Sequence, residues 1–338
     1  MQQPAEGAAE TAVRQVPEPG PAAPARPQGR SRPGNLPDVL FRATTLFFAG
    51  LVLLLILAIG TVLFAQAHLA FSHFGWKFLW TKEWDPVQES FGALPSIFGT
   101  LVSSFLAILI AVPVSLGIAI FLTEMAPPWL QKPVGLAVEM LAAVPSIIYG
   151  MWGLFSFAPI MARHIEPWLK HHLGFLPLFQ GPPMGIGMMT AAIILAVMII
   201  PFINSITRDV FALVPAMAKE SAYGLGATTW EVVRNVVIPY TRTGIVGAIF
   251  LGLGRALGET MAVTFVIGNA HDISLSLLSP SNTISSTLAN EFTEATSHLY
   301  VSSLIALGLI LFVITTIILS VAKLLLWRIE RQVVGSVR

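Results

Sequence analysis

Six long apolar stretches, near residues 43–65, 96–122, 135–157, 185–206, 244–268 and 300–325, leave this chain little choice of fold. Each is long enough for the roughly 20 residues with which a helix crosses a bilayer. In hydrocarbon, every backbone donor and acceptor must be satisfied internally, so spanning segments are helices or closed barrels. Continuous apolar runs of this length select helices. Charged residues are only 11% of the 338, and mean hydropathy is +0.76, whereas soluble domains carry about 25% charged residues. The expectation is an all-α integral membrane protein with six transmembrane helices.

Residues 1–40 are rich in Pro, Ala, Gly, Gln and Arg and poor in large apolar side chains. Such a segment buries too little surface to offset its ordering entropy, so a disordered, solvated tail is expected, with a proline-rich docking arm as the alternative. Phe64-Ala65-Gln66-Ala67 superficially offers a signal-peptidase site. The long region before it and the unbroken apolar run into it fit a retained anchor better. If the N-terminus is cytoplasmic, fourteen Lys and Arg lie on the inside and four (Lys77, Lys82, Arg163, Lys170) on the outside. That asymmetry places both termini inside.

Net charge is +1, with basic residues scattered rather than clustered, so nothing suggests nucleic acid. With no cysteine there is no disulfide framework and no thiol nucleophile. No Gly-x4-Gly-Lys-Ser/Thr loop is present to cradle a nucleotide. No cofactor or metal site is expected, and His171 and His172, which lack a carboxylate at ligand spacing, read as loop residues. Trp76, Trp80 and Trp84 recur every four residues and would form one stripe on a helix lying at the headgroups. Pro113, Pro145 and Pro201 fall inside spans and predict kinks.

Arg255 and Glu259 lie mid-way along an otherwise uncharged run, residues 243–271. Ionisable residues at that depth are costly and are functional-site candidates by default. On a continuous helix the i, i+4 spacing puts both on one face, about 6 Å apart along the axis. Arg255 would line an anion pathway, and Glu259 would neutralise it when the pathway is empty. The structural alternative is an ion pair that holds two helices in register. Gly254 and Gly258 flank Arg255, and Gly244, Ala248 and Gly252 form a second row of small residues, where a neighbouring backbone could approach closely. Glu139, near the inner end of its span, reads as a snorkelling or packing carboxylate. Ser103, Ser104, Tyr149, Asn204, Thr260 and Thr264 could line a polar path or be satisfied by their own backbones.

The loop over residues 207–243 is too regular to be a connector. Pro215 can start a helix over 216–223, and Gly224 and Gly226 permit a turn. Thr228 and Glu231 have capping-box spacing, which predicts a second helix running to about Val237, before Pro239. The product is a helix–turn–helix unit able to dock into a partner.

Glu220-Ser221-Ala222, three residues, Gly226, nine residues, then Val236-Val237-Ile238-Pro239 resembles the EAA motif of ABC importer permeases. That motif reads Glu-Ala-Ala-x3-Gly-x9-Ile-x-Leu-Pro. Ser221, Val236 and Ile238 are mild departures, while Glu220, Ala222, Gly226 and Pro239 match. Segments 79–85, 143–155 and 251–264 are similar to PstC-type permeases of the bacterial high-affinity phosphate transporter, and the similarity runs from about residue 40 to 326. The resemblance implies the type I importer (MetI-like) permease fold in the bacterial cytoplasmic (inner) membrane. It implies a homologous PstA-type permease partner, an ABC ATPase dimer docking on the loop, and an extracytoplasmic phosphate-binding protein. It implies inward transport of inorganic phosphate with ATP hydrolysed elsewhere, so the chain itself is not an enzyme. A secondary anion transporter, a sensory membrane subunit recruiting partners through the loop, or a permease for sulfate or molybdate are the alternatives.

Overall fold

The computed structural model describes residues 36–335 of the chain, with side chains through Arg328. Most of the expected disordered tail lies outside the described residues, and residues 36–40 are already helical. The chain divides into two units, Met1–Leu57 and Ala58–Arg338. Helix α1, Leu36–Phe74, runs through the boundary. From Leu46 to Leu57, still in the smaller unit, it is apolar around its whole circumference, with Leu46, Phe47, Leu53 and Leu54 all exposed, as suits a helix in lipid.

Within the larger unit, the end of α1 buries Ala67 and Ala70. The Ser302 hydroxyl enters its backbone ladder, accepting from Ala70 N at 3.1 Å and donating to Gln66 O at 2.7 Å. Helix α2 (Leu94–Ile120) ends in a π-turn, Phe121–Met125. It lies along α5 (Met188–Ala212), with small residues such as Ala107 and Ala111 letting the backbones approach. Ile194, Leu195, Ile199 and Ile203 of α5 form the centre of the core.

The stretch 135–157 is a bent pair of helices rather than one continuous helix. Helix α3 (Pro128–Ala143) stops at Val144, and α4 (Ser146–Leu173) leaves at 92°. Pro145 removes a helical donor and excludes α geometry from Val144, which is extended at φ −69°, ψ 127°. The Tyr149 hydroxyl spans the break, donating to Leu141 O at 2.7 Å.

After α5 come α6 (Ala216–Gly224) and the long rod α7 (Thr229–Leu257). Short helices α8 (Met261–Val266) and α9 (Ile284–Glu291) precede the last span, α10 (His298–Gly335). The expected fifth span, 244–268, is therefore interrupted after Leu257. Among the described residues, five helices are long and apolar enough to cross a membrane, and the bent α3–α4 pair makes up to six. Pro113 and Pro201 are accommodated inside α2 and α5 without a break.

Helix α2 relates the two ends of this unit. Near its start, Ser96 and Thr100 meet the segment 281–287. Ala119, near its finish, shares an apolar cluster with Val214, Val232 and Ala222 around α6 and α7. From Thr100 to Ala119 the helix runs about 30 Å.

Candidate functional site

The helix–turn–helix unit forms largely as its sequence dictates. Pro215 caps α6, and Gly226 takes φ +89°, a left-handed conformation that suits glycine. Thr228 and Glu231 complete the capping box, with Thr228 N donating to Glu231 Oε2 at 2.7 Å and Glu231 N to Thr228 Oγ1 at 3.4 Å. The second helix does not stop before Pro239. A π-turn, Val233–Val237, precedes it, and the wider turn lets the helix pass the missing donor and continue as the rest of α7.

Helix α6 has two faces. Ala218, Lys219 and Ala222 turn toward the bundle and are partly buried, whereas Met217, Glu220 and Ser221 are exposed. With Leu213, Leu225 and Trp230, also exposed, Met217 gives the unit an apolar outer surface beside Glu220. Lys219 Nζ donates to Glu124 Oε1, on the π-turn that ends α2, at 2.6 Å. A second ion pair joins α5 to α3, Arg208 Nη1 to Glu139 Oε1 at 2.9 Å. Gly135 makes room for it: a Cβ there would lie 2.8 Å from the Arg208 guanidinium. Glu139 thus has a specific partner rather than simply snorkelling.

Arg255 and Glu259 do not share a helix face. Helix α7 ends at Leu257, and Gly258 and Glu259 lie in the break before α8. Glycine weakens a helix by about 1 kcal/mol relative to alanine, and the Glu259 carboxylate offers an alternative, accepting from Ala262 N at 3.2 Å. Among the described residues the ion pairs are Lys219–Glu124, Arg208–Glu139 and His271–Glu291, so Arg255 and Glu259 are not within 4.0 Å. Arg255 is exposed, with its guanidinium 6.0 Å from the Phe202 ring centroid.

The row of small residues has a packing role. A Cβ on Gly244 would lie 2.4 Å from Val210, and one on Gly252 2.7 Å from Ile203, so α5 sits against this stripe. The hydroxyls of Thr260 and Thr264 donate to the backbone at Gly258 and Thr260. Asn204 and the Ser104 hydroxyl are buried without a hydrogen-bond partner. His171 and His172 lie on the last turn of α4 rather than in a loop.

At the opposite end of α2 lies a cluster that sequence reading did not assemble. Glu291 Oε2 accepts from Trp84 Nε1 and from the Tyr300 hydroxyl, each at 2.7 Å. His271 Nε2 donates to Glu291 Oε1 at 2.7 Å, leaving Nδ1 to accept from Asn282 Nδ2 at 2.6 Å. The Trp84 ring stacks on His271 with centroids 5.2 Å apart. Burial pushes the Glu291 carboxyl up in pKa. Hydrogen bonds from His271, Tyr300 and Trp84 outweigh burial and hold it below the usual carboxylate range. Trp76 and Trp80 are exposed while Trp84 is partly buried, so the three tryptophans are not one stripe. A short 3-10 turn, Gly75–Leu79, followed by extended chain breaks the spacing. The signal that was available was a set of long-range polar partners with no local pattern.

Residues 111–331, more than half of the chain, match the family described as binding-protein-dependent transport system inner membrane component. The phosphate transport system permease protein PstC of Pasteurella multocida is 61% identical over 299 residues, covering 87% of this chain and 93% of that one. The inward-facing MetNI methionine ABC transporter superposes with TM-score 0.51 at 16% identity, over 69% of this chain and 94% of that one. The bacterial alginate ABC transporter, in complex with an alginate-bound periplasmic protein, gives 0.56 at 15%, over 86% and 96%. At such identities the two structures speak to fold alone, and that fold is the helical one of type I importer permeases. This multi-pass inner-membrane chain, with no catalytic role of its own, belongs to the binding-protein-dependent transport system inner membrane components and, among them, to the PstC phosphate permeases.

Proposed function

We propose that this chain carries inorganic phosphate inward, as one of two homologous membrane subunits powered by a pair of ATPase subunits and loaded by an extracytoplasmic phosphate-binding protein. The α6–α7 unit faces the cytoplasm with both termini, and its outer surface around Glu220, Ser221 and Gly226 seats on an ATPase subunit. Arg255 lines the passage, and Glu259 holds the helix break that presents it.

The observation that carries the reading is Arg255. It lies far along a span, is exposed, and has no carboxylate within 4.0 Å among the described residues. A guanidinium at membrane depth must meet water or an anion, and its planar fork suits tetrahedral oxyanions. The apolar surface of Met217, Leu225 and Trp230 supports docking, since the described residues leave it uncovered.

The test is uptake of radiolabelled phosphate by the complete complex in liposomes, using Arg255→Ala and Arg255→Lys. Both variants should assemble, and the Ala variant should lose transport by roughly 100-fold, the loss of a charge-assisted contact worth about 2–3 kcal/mol. Undiminished uptake from both would remove Arg255 from the pathway. Sulfate-loaded rather than phosphate-loaded binding protein stimulating ATP hydrolysis would overturn the substrate.

A further inference from the structure

We propose that the Lys219–Glu124 ion pair is the mechanical tether that passes movement of α6 to α2, and that both are positioning residues for transport. The inference rests on the proposed docking of an ATPase subunit on the outer face of α6.

Helix α6 has only nine residues, and its chain connections give it little leverage. Pro215 introduces it in extended conformation, and it leaves through the turn at Gly226. Toward the bundle it offers the short side chains of Ala218 and Ala222 and the long one of Lys219. Alanine contacts slide with little resistance. A charge-assisted hydrogen bond at 2.6 Å is directional and short. Glu124 retains only 5% of its side-chain exposure and Lys219 21%, so solvent weakens the pair little.

The pair also sits where a pull would travel. Glu124 lies on the π-turn Phe121–Met125, and Leu122 on the same turn is buried. Such turns recur at functional sites because one extra residue re-aims the side chains. From there α2 is a continuous rod. At its far end Gly99 lies against the backbone of Asn282, where a Cβ would come within 1.8 Å of the carbonyl oxygen. Thr100 Oγ1 accepts from Ile284 N at 2.9 Å, and Ser96 and Thr287 share a 3.3 Å hydrogen bond. Asn282 in turn donates to His271 of the Glu291 cluster. A displacement of α6 is thus linked, through the ion pair and one helix, to the segment 281–287 at the opposite end.

The test uses the complete complex in liposomes and reads phosphate taken up per ATP hydrolysed. The double variant Lys219→Met/Glu124→Gln removes both charges, so neither is left buried alone. It should assemble and hydrolyse ATP, while uptake per ATP falls roughly 5-fold or more, the scale of a coupling between sites. The exchanged pair Lys219→Glu/Glu124→Lys should restore the ratio. A neutral double variant with the wild-type ratio overturns the tether, as does an exchanged pair that assembles but stays uncoupled. Failure of both variants to assemble makes the pair a folding element and overturns it too. Leu225→Asp, on the outer face, separates this from the docking reading. Loss of the ATPase subunits upholds docking, whereas their retention refutes docking without touching the uptake ratio.

Discussion

The two ends of α2 are built by different rules. At the α6 end, elements meet through a small apolar cluster and single ion pairs, Lys219–Glu124 and Arg208–Glu139, and the described residues leave an apolar surface uncovered. At the other end, one carboxylate collects three donors from three segments, and the segment 281–287 is buried throughout. A single directional contact lets one element draw the other with it, because only its two partners have to stay aligned. A shared acceptor fixes several segments to one another, since losing it strands every donor at once. The first end is suited to displacement by a partner, and the second to holding its shape while the helices move.

Glu291→Ala tests this contrast most severely. It leaves Trp84, Tyr300 and His271 without their acceptor, and each buried unsatisfied group costs about 1–3 kcal/mol. A combined loss of about 3–5 kcal/mol is expected in thermal unfolding in detergent. A loss below about 1 kcal/mol would mean that the cluster is no lock.

Gly99→Ala comes next, because the added methyl meets the Asn282 carbonyl rather than a flexible side chain. Backbone has to move, and a cost of about 1–3 kcal/mol is expected by the same measurement. Hydrogen exchange at residues 281–287 should rise with it; unchanged protection there would show that α2 and this segment are not tightly joined.

The smallest effect is expected at the α6 end. Thr228→Ala removes one cap from an exposed helix start and should cost about 1 kcal/mol. Exchange should quicken only over the first turn of α7. Spread of the change into α2 would show that this end is as interlocked as the other.

Much of this architecture is legible one segment at a time. The apolar runs mark the spans, Pro215 and the Thr228–Glu231 box mark the starts of α6 and α7, and the spacing from Glu220 to Pro239 marks the family. Pro145 was visible as a kink, but the 92° turn depends on how α3 and α4 pack as well as on the missing donor. The break at Gly258 was the costly miss. Gly254 and Gly258 read as a helix-packing pair, yet Gly258 lies where the helix ends and has no side chain within 3.8 Å of its Cβ position. Once that turn opens, a carboxylate four residues from an arginine has no reason to face it.

Local chemistry therefore determined what each segment is: hydropathy, proline, glycine and caps act over a few residues and need no knowledge of the rest. Tertiary structure alone decided which charges meet. Lys219 and Glu124 are 95 residues apart, Arg208 and Glu139 69, and Trp84 and Glu291 207. Coulomb and hydrogen-bond energies depend on separation in space, and sequence distance carries no record of that.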